Sequence, residues 1–210
     1  APGTARGRPG AIPESVSFGV AALARECGAE PVGGLRLADD LETMRSQADA
    51  ALDGADLLVV TGGASVGERD FAKAMFGERL DLVFSKVSMK PGKPVWLGRA
   101  GGTLVMGLPG NPTSALVTAR LLLAPLLAGL TGRAPAEALA WRKAPLLDPL
   151  GPAGDRETFS RARWESGGVR LLANQDSGAQ KMLVAADLLA RRPAGDRGFE
   201  AGAPVGVLSF

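Results

Sequence analysis

The chain has 210 residues, 46% of them hydrophobic and 22% charged, which is enough apolar material for an α/β domain with a smaller second domain. Its formal net charge is only +2 and its basic residues form no polybasic run, so neither nucleic acid nor a membrane surface is an expected partner. The sequence has no histidine, which excludes Ser-His-Asp catalysis and histidine-bound zinc and leaves carboxylates, lysines, backbone amides or a hard cation.

The first part of the chain alternates helix-like and strand-like segments. Helical spacing of apolar residues predicts helices over residues 13–26 and 39–52, with a short strand over residues 30–37 between them. Residues 56–61 form an apolar run that is typical of a buried parallel strand. The next elements are a short helix, three strands and a long helix, over residues 71–77, 80–89, 95–98, 103–106 and 112–128. This order predicts a doubly wound, mostly parallel sheet with a hairpin near its edge.

The longest apolar stretch is at residues 115–130, within the long helix. It is interrupted by Arg120 and Pro125 and is shorter than the roughly 20 residues that cross a bilayer, so we predict a buried helix. The single cysteine, Cys27, excludes an internal disulfide, which agrees with a reducing compartment. We therefore predict a cytoplasmic protein.

Helical periodicity largely disappears in the last third of the chain. Short strand-like runs, separated by glycines and polar turns, occupy residues 157–164, 169–172, 188–191 and 204–208. They predict a small β-barrel or sandwich. We therefore divide the chain into an α/β domain, residues 1–134, and an all-β domain, residues 135–210. The chain begins without methionine in a segment rich in Gly, Pro and Arg, which indicates the middle of a longer protein.

Two glycine-rich turns each follow an apolar strand and precede a helix. Their candidate binding residues are Gly62, Gly63, Ser65 and Asp70 in the first turn, and Pro109, Gly110, Asn111 and Pro112 in the second. In an open α/β sheet such turns gather at the carboxyl edge, where ligands bind. The backbone amides of either turn could receive an anion, but a tight turn and an ordinary helix entry explain the same residues.

Three lysines, Lys86, Lys90 and Lys93, lie between the two turns. If residues 80–89 form one strand, a period of two places Lys86 and Lys90 on the same face, and the following Pro-Gly turn directs Lys93 toward the same edge. Such a group favours a dianionic ligand, although a solvated lysine edge is the usual alternative.

Two aspartates are candidate ligands for Mg²⁺. Asp39 opens the second predicted helix, and Asp70 precedes the third. Each could cap its helix, or both could supply oxygens to a hard cation whose shell is completed by phosphates. The sequence leaves both alternatives open.

Taken together, these blocks resemble the molybdopterin molybdenumtransferase family, which includes the bacterial molybdate-insertion enzymes and the E domain of gephyrin. The matching motifs are GG-x-S-x-G-x-x-D from Gly62, K-x3-K-P-G-K-P from Lys86 and LPGNP-x-SA from Leu108. The resemblance extends with lower specificity through residues 157–161 and 174–178. It implies a molybdopterin-binding α/β domain followed by a C-terminal β domain.

The resemblance also implies an activity, in which molybdate is inserted into adenylylated molybdopterin and AMP is released with the help of Mg²⁺. It implies that Asp39 and Asp70 lie in the pterin and metal cleft, that the three lysines neutralise molybdate and phosphate, and that residues 109–112 form the cleft wall. Arg161 and Ser177 match residues that reach toward the cleft, often that of a partner subunit.

The residues themselves leave the two positions in the β domain open. Arg161 could hold a phosphate or molybdate bidentately, but a surface ion pair with Glu157 or Asp155 is a more usual arrangement. The pattern around Ser177 is looser, because Asp176 stands where the family often has glycine.

The resemblance finally implies a homodimer in the full-length protein and an interaction with the molybdopterin adenylyltransferase. In the family a strand ending in T-G-D-E-L and two further domains come before a Pro-Gly turn similar to Pro2-Gly3, so we expect the sheet to lack its first strand. Two alternatives stay open. One is a molybdopterin adenylyltransferase-like enzyme, and the other is a gephyrin-like binding or scaffold module without turnover.

Overall fold

The computed structural model describes residues 14–38, 40–62, 71–178 and 180–210, which form a four-stranded and a six-stranded sheet. The strands are β1 (Leu57–Thr61), β2 (Leu80–Phe84), β3 (Met89–Lys90), β4 (Trp96–Ala100), β5 (Thr103–Leu108), β6 (Arg142–Pro145), β7 (Glu157–Glu165), β8 (Gly168–Leu171), β9 (Leu188–Arg192) and β10 (Pro204–Ser209). The helices are α1 (Val16–Glu26), α2 (Leu41–Leu52), α3 (Phe71–Ala74), α4 (Pro112–Thr118), α5 (Ala124–Leu130) and α6 (Gln180–Val184). A π-helical turn, Ala119–Leu123, joins α4 to α5, and short 3₁₀ turns occupy Gly77–Arg79 and Pro135–Ala138.

The first sheet has the strand order β1-β5-β4-β2. Helices pack on both of its faces, with α1, α4 and α5 on one and α2 and α3 on the other. The predicted α/β fold is therefore confirmed. The described part of the sheet is mixed, since β1 and β5 are parallel whereas β4 runs antiparallel to β5 and to β2. The reason is the β4–β5 hairpin, which reverses the chain direction at a tight turn with Gly101 at φ +60°.

Successive side chains of a strand point to opposite faces of the sheet, so one strand contributes to the core on both faces. Met106 packs with α1 and the long helix, whereas its neighbour Val105 packs on the opposite face. On that second face Trp96 and Phe76 are almost fully buried and meet edge to face, with ring centroids 6.3 Å apart. These two buried aromatic side chains add a large apolar area to the core of the face that carries α2 and α3.

A single continuous helix, Pro112–Leu130, lies between the two sheets. Ala115 and Leu123 pack against the first sheet, and Val117 and Leu121 pack against the second. The helix is long and apolar enough to cross a membrane by length and composition, but 61% of its apolar window is buried inside the protein. Both faces are used for packing, which is the arrangement of a core helix.

The strand predicted over residues 30–37 does not form. The structure has irregular backbone there, and Val32 and Leu35 are 72% and 58% exposed. Pro31 offers no backbone donor, and the adjacent Gly33 and Gly34 have no side chains to pack. The apolar composition of the segment was therefore not sufficient, because a strand also requires a neighbour to pair with.

The strand predicted over residues 80–89 is divided between the two sheets. β2 ends at Phe84, and β3 pairs with β7 of the second sheet. The Val87 N–H donates a hydrogen bond of 3.1 Å to the Lys93 carbonyl, so the chain folds back on itself at this point. The placement of Lys86 and Lys90 on one strand was therefore wrong, since Lys86 lies in the connection and Lys90 on β3.

The second sheet has the order β3-β7-β9-β10-β6, with β8 also paired to β7. Its pairs are antiparallel except for β3 with β7. One face of the sheet packs against the long helix, and the other encloses a core of small and aliphatic side chains. The predicted C-terminal β domain is confirmed. The boundary between residues 134 and 135 stays a prediction, and β3 precedes it although it pairs with β7.

Candidate functional site

Gly62, the start of the first glycine-rich turn, meets the second turn at the carboxyl end of the parallel strand pair. Thr61 of β1 lies beside Leu108 of β5, and the Gly62 N–H donates a hydrogen bond of 3.3 Å to the Leu108 carbonyl. Gly62 has φ +85°, and a Cβ at Gly110 would lie 3.1 Å from the Gly62 Cα. Glycine at position 110 therefore allows the close approach, whereas glycine at position 62 is favoured by its positive φ.

Asn111 and Pro112 form the entry of the long helix, after the buried Pro109. Asn111 is the N-cap residue, with φ −74° and ψ 121°, and Pro112 occupies the first turn. The Asn111 side chain makes no capping hydrogen bond to the helix, and its Nδ2 donates a hydrogen bond of 2.9 Å to Ser177 Oγ. The first-turn N–H groups therefore receive no bond from this side chain, and the helix end keeps its partial positive charge.

Ser177 lies in a loop between β8 and α6 that also contacts Arg161 of β7. The Arg161 side chain is buried, with 2% of the residue exposed, and its guanidinium donates to the carbonyls of Asp176 (3.0 Å) and Asn174 (3.3 Å). Burial lowers the pKa of this guanidinium, and the charge of Asp176 opposes that effect. The surface ion pair considered for Arg161 is wrong, because its guanidinium is buried against these carbonyls, while Glu157 pairs with Arg191 and Asp155 with Arg156.

Lys86 and Lys93 line the same groove, a cavity of about 400 Å³. The other lining residues are Val87, Ser88, Asp155 and Arg156. The groove carries three cationic side chains and one carboxylate, and the Asp155 side chain is 95% exposed to water and 3.8 Å from the Arg156 Nε. The balance of charge is positive, which suits an anion. We call this set of residues the basic groove.

Lys90 is exposed on β3, beside Thr158 of β7, and the neighbouring Met89 is buried on the opposite face. The Pro-Gly turn that follows packs on the long helix, where a Cβ at Gly92 would overlap the Thr118 hydroxyl. Gly92 has φ +109°, so both its backbone angle and its surroundings require glycine.

Four predicted site residues, Asp39, Gly63, Ser65 and Asp70, lie outside the described residues. Within the described ranges, no three His, Cys, Asp or Glu side chains are grouped so that they could hold a metal ion. The assignment of Mg²⁺ to Asp39 and Asp70 therefore stays a prediction.

The structure brings the predicted residues together as three sets. Gly62 meets Gly110, Asn111 meets Ser177, and Lys86 shares a groove with Lys93. Arg156 was not predicted, because it reaches the groove from the second sheet and no local spacing marks it. Gln175, which is bonded to Arg161, was also missed as a functional residue. Its signal in the sequence was its place in the segment 174–178, to which the family resemblance extends.

Comparison with known proteins gives matches along both parts of the chain. Residues 4–129 match the family described as "Probable molybdopterin binding domain", and residues 143–210 match the family described as "MoeA C-terminal region (domain IV)". The chain is 33% identical over 211 aligned residues to the molybdopterin molybdenumtransferase of Bacillus subtilis, covering 95% of this chain and 47% of that relative. It is 38% identical over 118 residues to the molybdopterin molybdenumtransferase of Haemophilus influenzae, covering 56% of this chain and 28% of that relative.

A solved structure extends the similarity to three dimensions. The crystal structure of a molybdopterin biosynthesis MoeA protein from Pyrococcus horikoshii superposes with a TM-score of 0.79 at 27% identity, covering 96% of this chain and 49% of that chain. The chain thus spans less than half the length of each of these three proteins.

Proposed function

The chain belongs to the MoeA family of molybdopterin molybdenumtransferases, which serves molybdenum cofactor biosynthesis, and we propose that it inserts molybdate into adenylylated molybdopterin with release of AMP. The observation that carries the proposal is the basic groove, in which Lys86, Lys93 and Arg156 line one cavity. Its cations and the backbone amides of the glycine-rich edge are the two kinds of group that a phosphate or a molybdate requires.

The basic groove supplies the charge in this proposal. Lys86, Lys93 and Arg156 line one cavity together with the hydroxyl-bearing Ser88. Three cations attract a dianion more strongly than they attract a monoanion, because the Coulomb energy is proportional to the charge of the ligand. Arg156 adds a planar pair of donors that suits a tetrahedral oxyanion. Lys90 is proposed to extend this charge along the same side of β3.

The helix entry supplies orientation. Ser177 Oγ accepts the hydrogen bond from Asn111 Nδ2, so the proton of its own hydroxyl is available to donate to an oxygen of the substrate. That proton lies near the N-terminus of the long helix, whose partial positive charge favours an anion. Gly62 and Gly110 keep the adjoining backbone free of side chains. We infer that the phosphate end of the pterin lies against this edge.

Catalysis in this proposal consists of orientation and electrostatic stabilisation, since the chain offers neither histidine nor a thiol at these positions. Asp39 and Asp70 are proposed to hold Mg²⁺, which would neutralise phosphate charge when bound. A homodimer, an interaction with the molybdopterin adenylyltransferase and a cytoplasmic location belong to the same proposal.

Calorimetry with molybdopterin-AMP, followed by chromatographic measurement of AMP released on addition of molybdate, tests the proposal. We expect binding to weaken about tenfold in Lys86→Ala and Lys93→Ala and to be unchanged in Lys143→Ala. Lys143 is an exposed lysine on β6, at the opposite edge of the second sheet from β3, and serves as the matched control.

Two results would count against the proposal. The proposal would be contradicted if the folded wild-type chain bound no molybdopterin-AMP. Formation of the adenylylated pterin from ATP without molybdate would instead indicate the neighbouring adenylylation reaction.

A further inference from the structure

The loop that carries Ser177 is held in shape by its own side chains. Asn174 Oδ1 accepts a hydrogen bond of 2.8 Å from the Asp176 N–H, and Asp176 Oδ1 accepts one of 2.9 Å from the Gly178 N–H. Two such turns in sequence fix the backbone on both sides of Ser177. The loop is therefore ordered by its own residues, but these bonds do not determine where it lies on the protein.

Gln175 attaches the loop to β7. Its Oε1 accepts from the Arg161 N–H (2.9 Å) and from Arg161 Nε (3.3 Å), and its Nε2 donates to the carbonyls of Arg161 (2.9 Å) and Leu172 (2.7 Å). The side-chain amide thus uses both acceptor positions and both donors. It bonds the N–H and the carbonyl of the same residue of β7, as the backbone of a neighbouring strand would do.

Arg161 completes the attachment from the interior. Its guanidinium donates to the carbonyls of Asn174 and Asp176, on either side of Gln175. The three contacts of this side chain with the loop use Nε, Nη1 and Nη2. Arg161 is a buried cation on β7 that donates to carbonyls of the Ser177 loop. It is therefore placed to hold that loop rather than to contact a ligand in the groove.

We propose that Gln175 and Arg161 are positioning residues that set Ser177 Oγ at hydrogen-bond distance from Asn111, and so direct the Ser177 proton toward the helix entry. The inference deepens the proposed function and rests on it for the identity of the ligand. It assigns Arg161 a role different from the substrate contact predicted from the sequence. The arginine acts through the loop, and Ser177 makes the contact.

The first test needs no ligand. In the full ¹⁵N-labelled chain, the Asn111 side-chain amide signal is assigned with Ser177→Ala, which removes the acceptor. We expect Gln175→Ala to shift this signal toward its position in Ser177→Ala and to accelerate exchange of its protons. Arg163→Ala is the control, since Arg163 lies two residues along β7 from Arg161 but pairs with Glu165 on the surface. An Asn111 signal in Gln175→Ala that is identical to wild type overturns the inference.

The second test measures coupling in the binding of molybdopterin-AMP. Ser177→Ala and Gln175→Ala are each expected to weaken binding about fivefold, and the double variant no more than either alone, because Gln175 acts through Ser177. Arg161→Lys, which retains a donor for the loop carbonyls, is expected to retain more affinity than Arg161→Ala. If the loss of affinity in the double variant equals the product of the two single losses, Gln175 acts independently of Ser177, and the inference is overturned. If wild type binds no pterin, the proposed function fails and the amide signal alone decides the positioning role.

Discussion

The glycine-rich edge and the basic groove suit an anion for different physical reasons. At the edge, Gly110 closely approaches the backbone of Gly62, so the site depends on shape. In the groove, Lys86, Lys93 and Arg156 surround a cavity of about 400 Å³, so the site depends on charge. A shape-dependent site is sensitive to a single methyl group but little affected by salt, whereas a charged groove tolerates changes of shape and weakens with salt.

The largest expected effect is a change of shape at the edge. Gly110→Val places branched carbons where a Cβ alone would be 3.1 Å from the Gly62 Cα. We expect a loss of about 2 kcal/mol in the free energy of unfolding, together with loss of molybdopterin-AMP binding, because the turns must separate. Urea unfolding and calorimetry measure the two effects. Gly102→Ala is the control, since no atom lies within 4 Å of a Cβ at that position and its stability should match wild type.

The second effect is a change of charge in the groove. Arg156→Ala should weaken molybdopterin-AMP binding about three- to tenfold while the free energy of unfolding changes by less than about 0.5 kcal/mol, because the side chain is on the surface and pairs with the exposed Asp155. Arg156→Lys should recover part of the loss. Unchanged affinity in Arg156→Ala would show that Arg156 does not contribute to binding of the ligand in the groove.

Ionic strength sharpens the comparison between the two regions. Raising salt from about 0.05 M to about 0.5 M should weaken wild-type binding several-fold, because exposed charges are screened over shorter distances. The dependence on salt should be shallower in Lys86→Ala and unchanged in Asn111→Ala, which alters the helix entry without altering charge. Equal salt dependence in all three proteins would show that the groove does not contact the ligand.

The smallest effect is expected away from both regions. Hydrogen bonds from Arg170 and then Arg163 lower the pKa of the Glu165 carboxyl, so this group binds protons less readily in the folded chain than in the unfolded chain. Its contribution to stability is therefore present above the unfolded pKa and is lost as the pH falls through the lower folded pKa. Glu165→Gln should flatten the fall in stability between about pH 5 and pH 3 slightly, as measured by thermal unfolding at each pH. A change in pterin affinity at neutral pH would contradict the separation of this surface from the site.

The same contrast explains what could be predicted from the sequence. The meeting of Gly62 with Gly110 followed from the position of each turn after a strand, because parallel strands end at the same edge. Local patterns succeed where the elements are neighbours in a sheet. Asn111 is the N-cap residue of the long helix, but nothing local in the sequence indicated that its side chain would bond Ser177.

The groove was predicted less well, because its residues come from separate sheets. Lys86 and Lys90 fit one strand by period, but β7 offers β3 a partner that the pattern around the lysines cannot reveal. Arg156 lacked any motif and depends on the same pairing for its place. The segment at residues 30–37 had strand composition without a partner. In each case the missing information was tertiary, and periodicity carries none of it.

β3 has a consequence for how the chain can be divided. This two-residue strand comes from the α/β part but covers the edge of β7 at Glu157 and Thr158. A truncated protein consisting of residues 135–210 would leave those backbone groups open, and an uncovered strand edge invites self-association with another copy. The two parts therefore share one sheet, and a fragment cut between them should begin before Met89 if it is to remain monomeric.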